Sequence, residues 1–237
     1  LSGSFIDMLI NATVVMQRAT RLTDLTGNVA IPRQTGGASA YWVGEGAAPT
    51  ESQQAFDQVT LTPKTVGAFT DFSRKLMLQS SMDVESLVRR DLARTLALEI
   101  DRVCINGSGA SNQPTGILNT TGIGSVVGGT NGLAPTWGHM IDLESQVAND
   151  NADIGSLAYI TNTKVRGKLK QTEKASSTGQ FVWGDNDING YSPLVTNQVP
   201  SDLDKGTSTG VASAILFGNL SDLLVGMWSG LDLMVDP

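Results

Sequence analysis

The chain has 237 residues, with 16 Lys plus Arg against 23 Asp plus Glu and a net charge of −7. It is long enough to bury a sizeable core and too acidic to grip nucleic acid through a broad cationic surface. One cysteine, Cys104, and one histidine, His139, exclude a disulfide framework and any zinc site built from His and Cys.

No apolar run approaches the roughly 20 residues that a bilayer-spanning helix needs, so no membrane partner is expected. The chain opens at Leu1 and stops at Pro237, straight after a strand-like run at 231–235, and reads as an excised or processed fragment. Residues 5–20 carry apolar side chains in too mixed a period to choose helix from strand and are read as an arm. From Val29 the texture changes. A strand runs into the breaker cluster Pro32-Arg33-Gln34-Thr35-Gly36-Gly37. Alternation returns at 40–43, passes through the small, polar and acidic stretch 44–52, and resumes from Phe56 to Phe72. This reads as a long hairpin. About 16 residues per arm at roughly 3.3 Å each reach on the order of 50 Å. With Gly, Ala, Ser, Thr and Gln along its middle, the ribbon has little apolar surface to dock on its own domain and is expected to lie on another copy of the chain.

A long helix is expected over 83–106, capped by Asp83 and stopped by a left-handed Asn106-Gly107. Its apolar stripe is Val84, Val88, Leu92, Leu96, Ile100 and Cys104, widened by Leu87 and Val103. Glu85 and Arg89 are spaced to pair, and Arg90, Arg94 and Arg102 crowd positive charge along the polar side. That side is read as a solvated face, with contact to an acidic neighbouring subunit as the alternative. After the Gly- and Ser-rich passage 107–132, a second capped helix is expected from Thr136, a strand at 157–160, a short basic helix at 164–172 and strands at 181–183 and 194–199. A loop at 202–210 leads to strand-like runs at 212–217, 223–228 and 231–235. The class is α+β, with no solenoid repeat.

Four patterns invite a chemical reading, and each lacks a part. Gly206-Thr207-Ser208-Thr209-Gly210 spells a nucleophile elbow, but the residues before it read as polar loop and His139 is the one available base. Asp185-Asn186-Asp187-Ile188-Asn189-Gly190 spells the first half of a calcium loop, yet Thr196 stands where the bidentate Glu belongs. Gly107-Ser108-Gly109 lacks the third glycine of a dinucleotide fingerprint and follows a helix rather than a strand. His139 has Asp142 and Glu144 nearby but no nucleophile. The expectation is no catalytic residue, no metal and no cofactor.

Taken together, Ile31-Pro32-Arg33, Trp42-Val43-Gly44-Glu45-Gly46, Glu51-Ser52, Leu61-Thr62-Pro63-Lys64 and Ser73-Arg74 form an ordered set. The long helix ending in Gly107-Ser108-Gly109 to Pro114-Thr115-Gly116-Ile117, then Asn189-Gly190-Tyr191-Ser192-Pro193-Leu194-Val195 and Leu216-Phe217-Gly218-Asn219, complete it. In that order and spacing they resemble the major capsid proteins of tailed bacteriophages, with the Hong Kong 97 type fold. The resemblance implies an N-terminal arm over 1–28 and an extended E-loop over 29–66. It implies a peripheral domain over 67–129 and 223–237 with the spine helix at 83–106, and an axial domain over 130–222. It further implies hexamers and pentamers that tile an icosahedral shell around double-stranded DNA, without sequence-specific binding. A scaffolding segment, a maturation protease and a portal are the partners implied, and assembly in the bacterial host cytoplasm is the implied location. Inter-subunit contact is expected at the E-loop tip through Arg33, Trp42, Glu45 and Glu51, and the spine helix polar face through Arg89, Arg90 and Arg94. Some relatives cross-link through a tip lysine; here Pro49 holds the corresponding place and Lys64 does not match it, so no isopeptide bond is expected. The rival readings are an encapsulin-like compartment shell, a serine hydrolase using Ser208 and His139, and a lone adhesion or binding module.

Overall fold

The computed structural model describes residues 13–48, 50–71, 73, 75 and 84–228. In chain order the elements are β1 (Thr20–Leu22), β2 (Val29–Gly36), β3 (Ala55–Leu61), α1 (Val84–Asn106), α2 (Trp137–Asn149), β4 (Leu157–Thr161), α3 (Thr163–Leu169) and β5 (Leu194–Val195). They are followed by β6 (Leu203–Lys205), β7 (Ser208–Ala212), β8 (Ile215–Asn219) and β9 (Leu224–Gly226). The Asp83 cap and the 231–235 strand expected from the sequence lie outside the described residues, as does the side chain of Glu85.

Strand β4 organises the core. It lies between β5, parallel to it, and β8, antiparallel to it, with Leu157 opposite Asn219 and Thr161 opposite Ile215. Successive side chains on a strand point to opposite faces, so a strand buried on both sides reads as a continuous apolar run rather than an alternating one. Leu-Ala-Tyr-Ile-Thr does so. Tyr159 packs with Met140, Val165, Leu169, Val182, Trp183 and Ile188 on one face. Ala158 and Ile160 pack with Val15, Ile105, Val199 and Leu220 on the other. The Tyr159 hydroxyl is satisfied inside the core by Met140 O at 3.0 Å and Glu144 Oε1 at 2.5 Å. Burial and that carboxylate together push its pKa well above the usual phenol value. Glu144 also accepts from Asn189 Nδ2 at 2.6 Å, tying α2 to the turns at 184–191.

Helix α1 buries a face different from the one expected. Ala93, Leu96, Ala97, Asp101 and Ile105 are buried, while Leu92, Ile100 and Cys104 are half-buried and Leu87 and Leu98 are exposed. The buried line Ala93, Ala97, Asp101 and Ile105 also recurs every four residues but is displaced by one residue from the expected stripe, about 100° around the helix. The helix ends through close packing. Gly107 N–H donates to Val103 O at 2.8 Å, and Gly107 O accepts from Gly116 N–H and Asn119 Nδ2, both at 2.9 Å. A Cβ on Gly107 would stand 2.2 Å from Pro114 O, so glycine is required by proximity. The expected left-handed stop at Asn106-Gly107 is absent, because Gly107 is not among the positive-φ glycines; Gly109, at φ 71°, is.

Helix α2 begins as the sequence indicates, on Thr136, whose Oγ1 accepts from His139 N–H at 3.4 Å while His139 Nδ1 accepts from Thr136 N–H at 3.2 Å. The imidazole thus takes the place that Glu or Gln occupies in a capping box. Several strands are shorter than the alternation suggests. Residues 181–183 form only an isolated bridge from Phe181 to Glu173, and the 194–199 run keeps two strand residues. The 212–217 run divides between β7 and β8, and the loop expected at 202–210 contains the β6–β7 hairpin.

The chain divides into two units. One comprises Leu1–Arg21, Lys64–Val225 and Gly230–Pro237 and holds the sheet core; the other comprises Leu22–Pro63 and Gly226–Ser229 and holds the β2–β3 hairpin. In the second unit Trp228 Nε1 donates to Gly27 O at 2.5 Å and Leu25 N–H donates to Met227 O at 3.2 Å, closing the base of the hairpin.

Candidate functional site

The hairpin is the place where structure and sequence point to contact with something outside the chain. Its ladder runs from Val29 opposite Leu61 to Gly36 opposite Ala55, with an irregularity between Gln34 and Gly36 that shifts the register by one residue. The continuous ribbon expected from the alternation is therefore laddered only over its base. Beyond Gly36 the arms remain in the shifted register without a ladder. Ser39 N–H donates to Ser52 Oγ at 3.2 Å, the Tyr41 hydroxyl donates to Thr50 O, and Ala47 N–H donates to Gly44 O at 3.1 Å to close the turn. Gly46, at φ 80°, occupies the left-handed position of that turn. Gly37, Ala38 and Ala40 are poor strand formers with little side chain to pair, and side-chain bonds replace the ladder there.

No described residue of the hairpin unit is buried. Trp42 is fully exposed, Phe56 is 66% exposed, and Tyr41, Val43 and Val59 are also open; further along the chain, Phe69 is 91% exposed. A lone exposed apolar residue is ordinary; here several aromatic side chains are exposed together on a ribbon that lacks a core.

The residues expected at the hairpin tip separate. Glu45 is in the closing turn, and Trp42 and Glu51 flank it, all exposed. Arg33 is not at the tip: it lies within β2 directly opposite Asp57 and pairs with that carboxylate at 3.1 Å. The Gln58 backbone N–H and the Arg33 guanidinium hold the Asp57 carboxyl below its ordinary pKa. On α1, Arg90 and Arg94 are exposed one turn apart, but Arg89 is half-buried and has a bonding partner, so the three arginines do not form one open face. The positive charge expected at Arg102 is neutralised by Glu99, which accepts from Arg102 Nε at 2.8 Å and Nη2 at 2.5 Å. Pro49 lies outside the described residues.

The chemical candidates do not come together. Ser208 begins β7 in a hairpin, so no strand–turn–helix elbow exists there, and His139 is engaged in the α2 cap. A three-residue strand, β6, does precede the motif, where polar loop was expected. The calcium-loop spelling folds as two consecutive turns. Asp185 and Asn186, then Asn189 and Gly190, all have positive φ, and paired bonds join Gly184 to Asp187 and Ile188 to Tyr191. That is the backbone pattern of type I′ turns, and it places Ile188 in the core. Among the described residues no group of three His, Cys, Asp or Glu could hold a metal ion. Burial beside Asp101 pushes the Cys104 thiol up to about 11, which leaves it protonated and inert near neutral pH.

One site missed from sequence is Asp101. Its side chain is 2% exposed, and it accepts from Val14 N–H at 2.6 Å, Val15 N–H at 3.2 Å and Met16 N–H. The carboxylate caps a single helical turn in which Arg18 and Ala19 N–H both donate to Val15 O at 3.0 Å. Desolvation raises its pKa above the ordinary value although the three N–H groups oppose the shift. Seen as sequence, Asp101 sits between Ile100 and Arg102 like any polar-face residue; nothing local marks it.

A model of the phage capsid family matches residues 1–237. The chain belongs to the phage capsid family. It is 33% identical over 233 residues to the major capsid protein of Halomonas phage phiHAP-1, a match that covers 98% of this chain and 36% of that protein. It is 30% identical over 118 residues to the major capsid protein of Klebsiella oxytoca phage phiKO2, covering 49% and 28% of the two chains. The chain thus spans about a third of the length of the curated relatives it matches. Among solved structures, the capsid of a native GTA particle superposes with a TM-score of 0.70 at 20% identity, over 89% of this chain and 74% of that one. A structure from Microbacterium phage Oxtober96 gives 0.67 at 18%, over 90% and 72%. The fold is α+β of the Hong Kong 97 capsid type.

Proposed function

We propose that this capsid-family chain is the structural subunit of a tailed-phage head. Copies associate into hexamers and pentamers and close an icosahedral shell around double-stranded DNA, in the virion, after assembly in the cytoplasm of the bacterial host. The hairpin serves as the E-loop that lies on an adjacent copy. The Leu157–Asn219 core belongs to the axial domain and α1 is the spine helix of the peripheral domain. The subunit works without catalysis, cofactor or metal, and no isopeptide bond joins neighbours. The observation that carries this reading is a hairpin unit with no buried described residue and a fully exposed Trp42 beside its closing turn. A two-stranded ribbon is marginal in water by itself, and a neighbouring subunit supplies the surface it lacks. Net negative charge suits a container that repels rather than binds the phosphates inside it.

Electron microscopy of the full-length protein tests this. Rings or closed particles are expected, and Trp42→Ala should reduce their yield while leaving the isolated subunit folded. A full-length protein that stays monomeric at every concentration, with its hairpin resistant to protease, contradicts the proposal. A ladder on denaturing gels of assembled particles contradicts the absence of cross-links.

A further inference from the structure

We propose that a cavity in the larger unit is a binding site for an oxyanion group, a phosphate or a carboxylate. The cavity has a volume of about 380 Å³ and is bounded by the helical turn that Asp101 caps, by α3, by the turns at 184–187 and by the approach to β5. Its polar wall comprises Arg18 and Gln17 from the turn, Arg166 from α3, and Trp183, Asn186 and Ser192. Acidic residues outnumber basic ones in the chain by 23 to 16, yet among the described residues two guanidinium groups line this cavity and no carboxylate does.

The donors there are under-used. Arg18 gives one bond, from Nη1 to Ser156 Oγ at 3.3 Å, out of the five a guanidinium can donate. The Arg166 guanidinium has no acceptor among the described residues. Trp183 is 5% exposed and its Nε1–H has no partner among the described residues. Planar guanidinium forks match the spacing of two oxygens on one anion, and an amide and a hydroxyl at Asn186 and Ser192 supply further donors. An oxyanion meets these demands together, whereas a cation or an apolar ligand meets none of them. The group can arrive as a free anion or as an acidic side chain offered by a second copy of the chain; the chemistry is the same.

The test uses the chain with its tryptophan indoles labelled with nitrogen-15, titrated with inorganic phosphate, with acetate and with chloride at matched ionic strength. The Trp183 indole signal should move saturably with phosphate or acetate and not with chloride, while those of Trp42, Trp137 and Trp228 stay in place. Phosphate saturating at lower concentration identifies a free phosphate as the better fit; acetate doing so identifies a carboxylate, and a Trp183 signal that also moves with chain concentration identifies a second copy as its source. Arg166→Gln should weaken the response by about tenfold or more, the loss of one charge-assisted contact; Arg18→Gln gives the same readout should Arg166→Gln fail to fold. Arg90→Gln, on the exposed side of α1, should leave it unchanged. A response that is linear, equal in chloride or indifferent to both cavity arginines overturns the proposal. The result is independent of particle formation, so failure here leaves the capsid reading intact.

Discussion

Strand β4 and the β2–β3 hairpin are both short β structures in one chain, and they have opposite environments. Both faces of β4 are covered, by Tyr159 and its neighbours on one side and by Ala158 and Ile160 with theirs on the other. The hairpin has neither face covered. Its base is held by backbone pairing and its outer part by two side-chain bonds and a turn. The first region is stabilised by what it excludes from water, and the second, on the proposed reading, by surface that another molecule brings. A change in β4 should therefore be read out as folding, and a change at the hairpin tip as association.

The largest effect is expected from Ile160→Ala, which should destabilise the isolated chain by about 2–5 kcal/mol in denaturant melts, because it opens a cavity in a two-sided core. Near-normal stability would show that β4 does not organise the fold. Asp101→Asn should cost about 1–3 kcal/mol, since it exchanges a three-fold acceptor for a group that presents its own N–H to the same donors. Its pH dependence has a definite sign. The folded pKa lies above the unfolded one, so the folded state holds the proton more tightly. The stability contributed through this proton is fully present below the ordinary carboxylate pKa and is lost as pH rises through the raised folded value. Parallel melts of wild type and Asp101→Asn across that interval should show a gap that narrows with rising pH; a widening gap would refute the assignment. Thr136→Ala should cost about 1 kcal/mol through loss of the α2 cap, measurable by the same melts. Trp42→Ala should change the stability of the isolated chain least, by under about 0.5 kcal/mol, and yet have the greatest effect on particle yield. Equal loss of stability and assembly would erase the contrast between the two regions.

Much of this arrangement was legible in the residues. Thr136 announced its helix, because a hydroxyl before an amphipathic run has a local structural meaning. The Trp42 to Glu51 stretch announced a hairpin whose middle cannot form a core. Capping and turn chemistry are decided within a few residues, so sequence carries them well. The buried side of α1 was not legible, since its Ala93, Ala97 and Asp101 carry less apolar bulk than Leu92 and Ile100 beside them. Nor was Asp101, whose burial depends on backbone donors 85 or more positions away in the chain. The two I′ turns at 184–191 resembled a metal loop because Asp, Asn and Gly serve both purposes: they tolerate positive φ and they present oxygen atoms. Arg33 lies within the ladder opposite Asp57 rather than at the tip that the resemblance implies, since an edge ribbon accommodates Pro32 beside it.

The bond between Asp101 and residues 14–16 should also order events during folding. A helix such as α1 can nucleate from local contacts within about a microsecond, whereas the early segment finds its acceptor only after a wide loop has closed and Ile105 and Ile160 have offered a surface for Val15. The beginning of the described chain should consequently be among the last parts to gain hydrogen-exchange protection during refolding, although a ribosome makes it first.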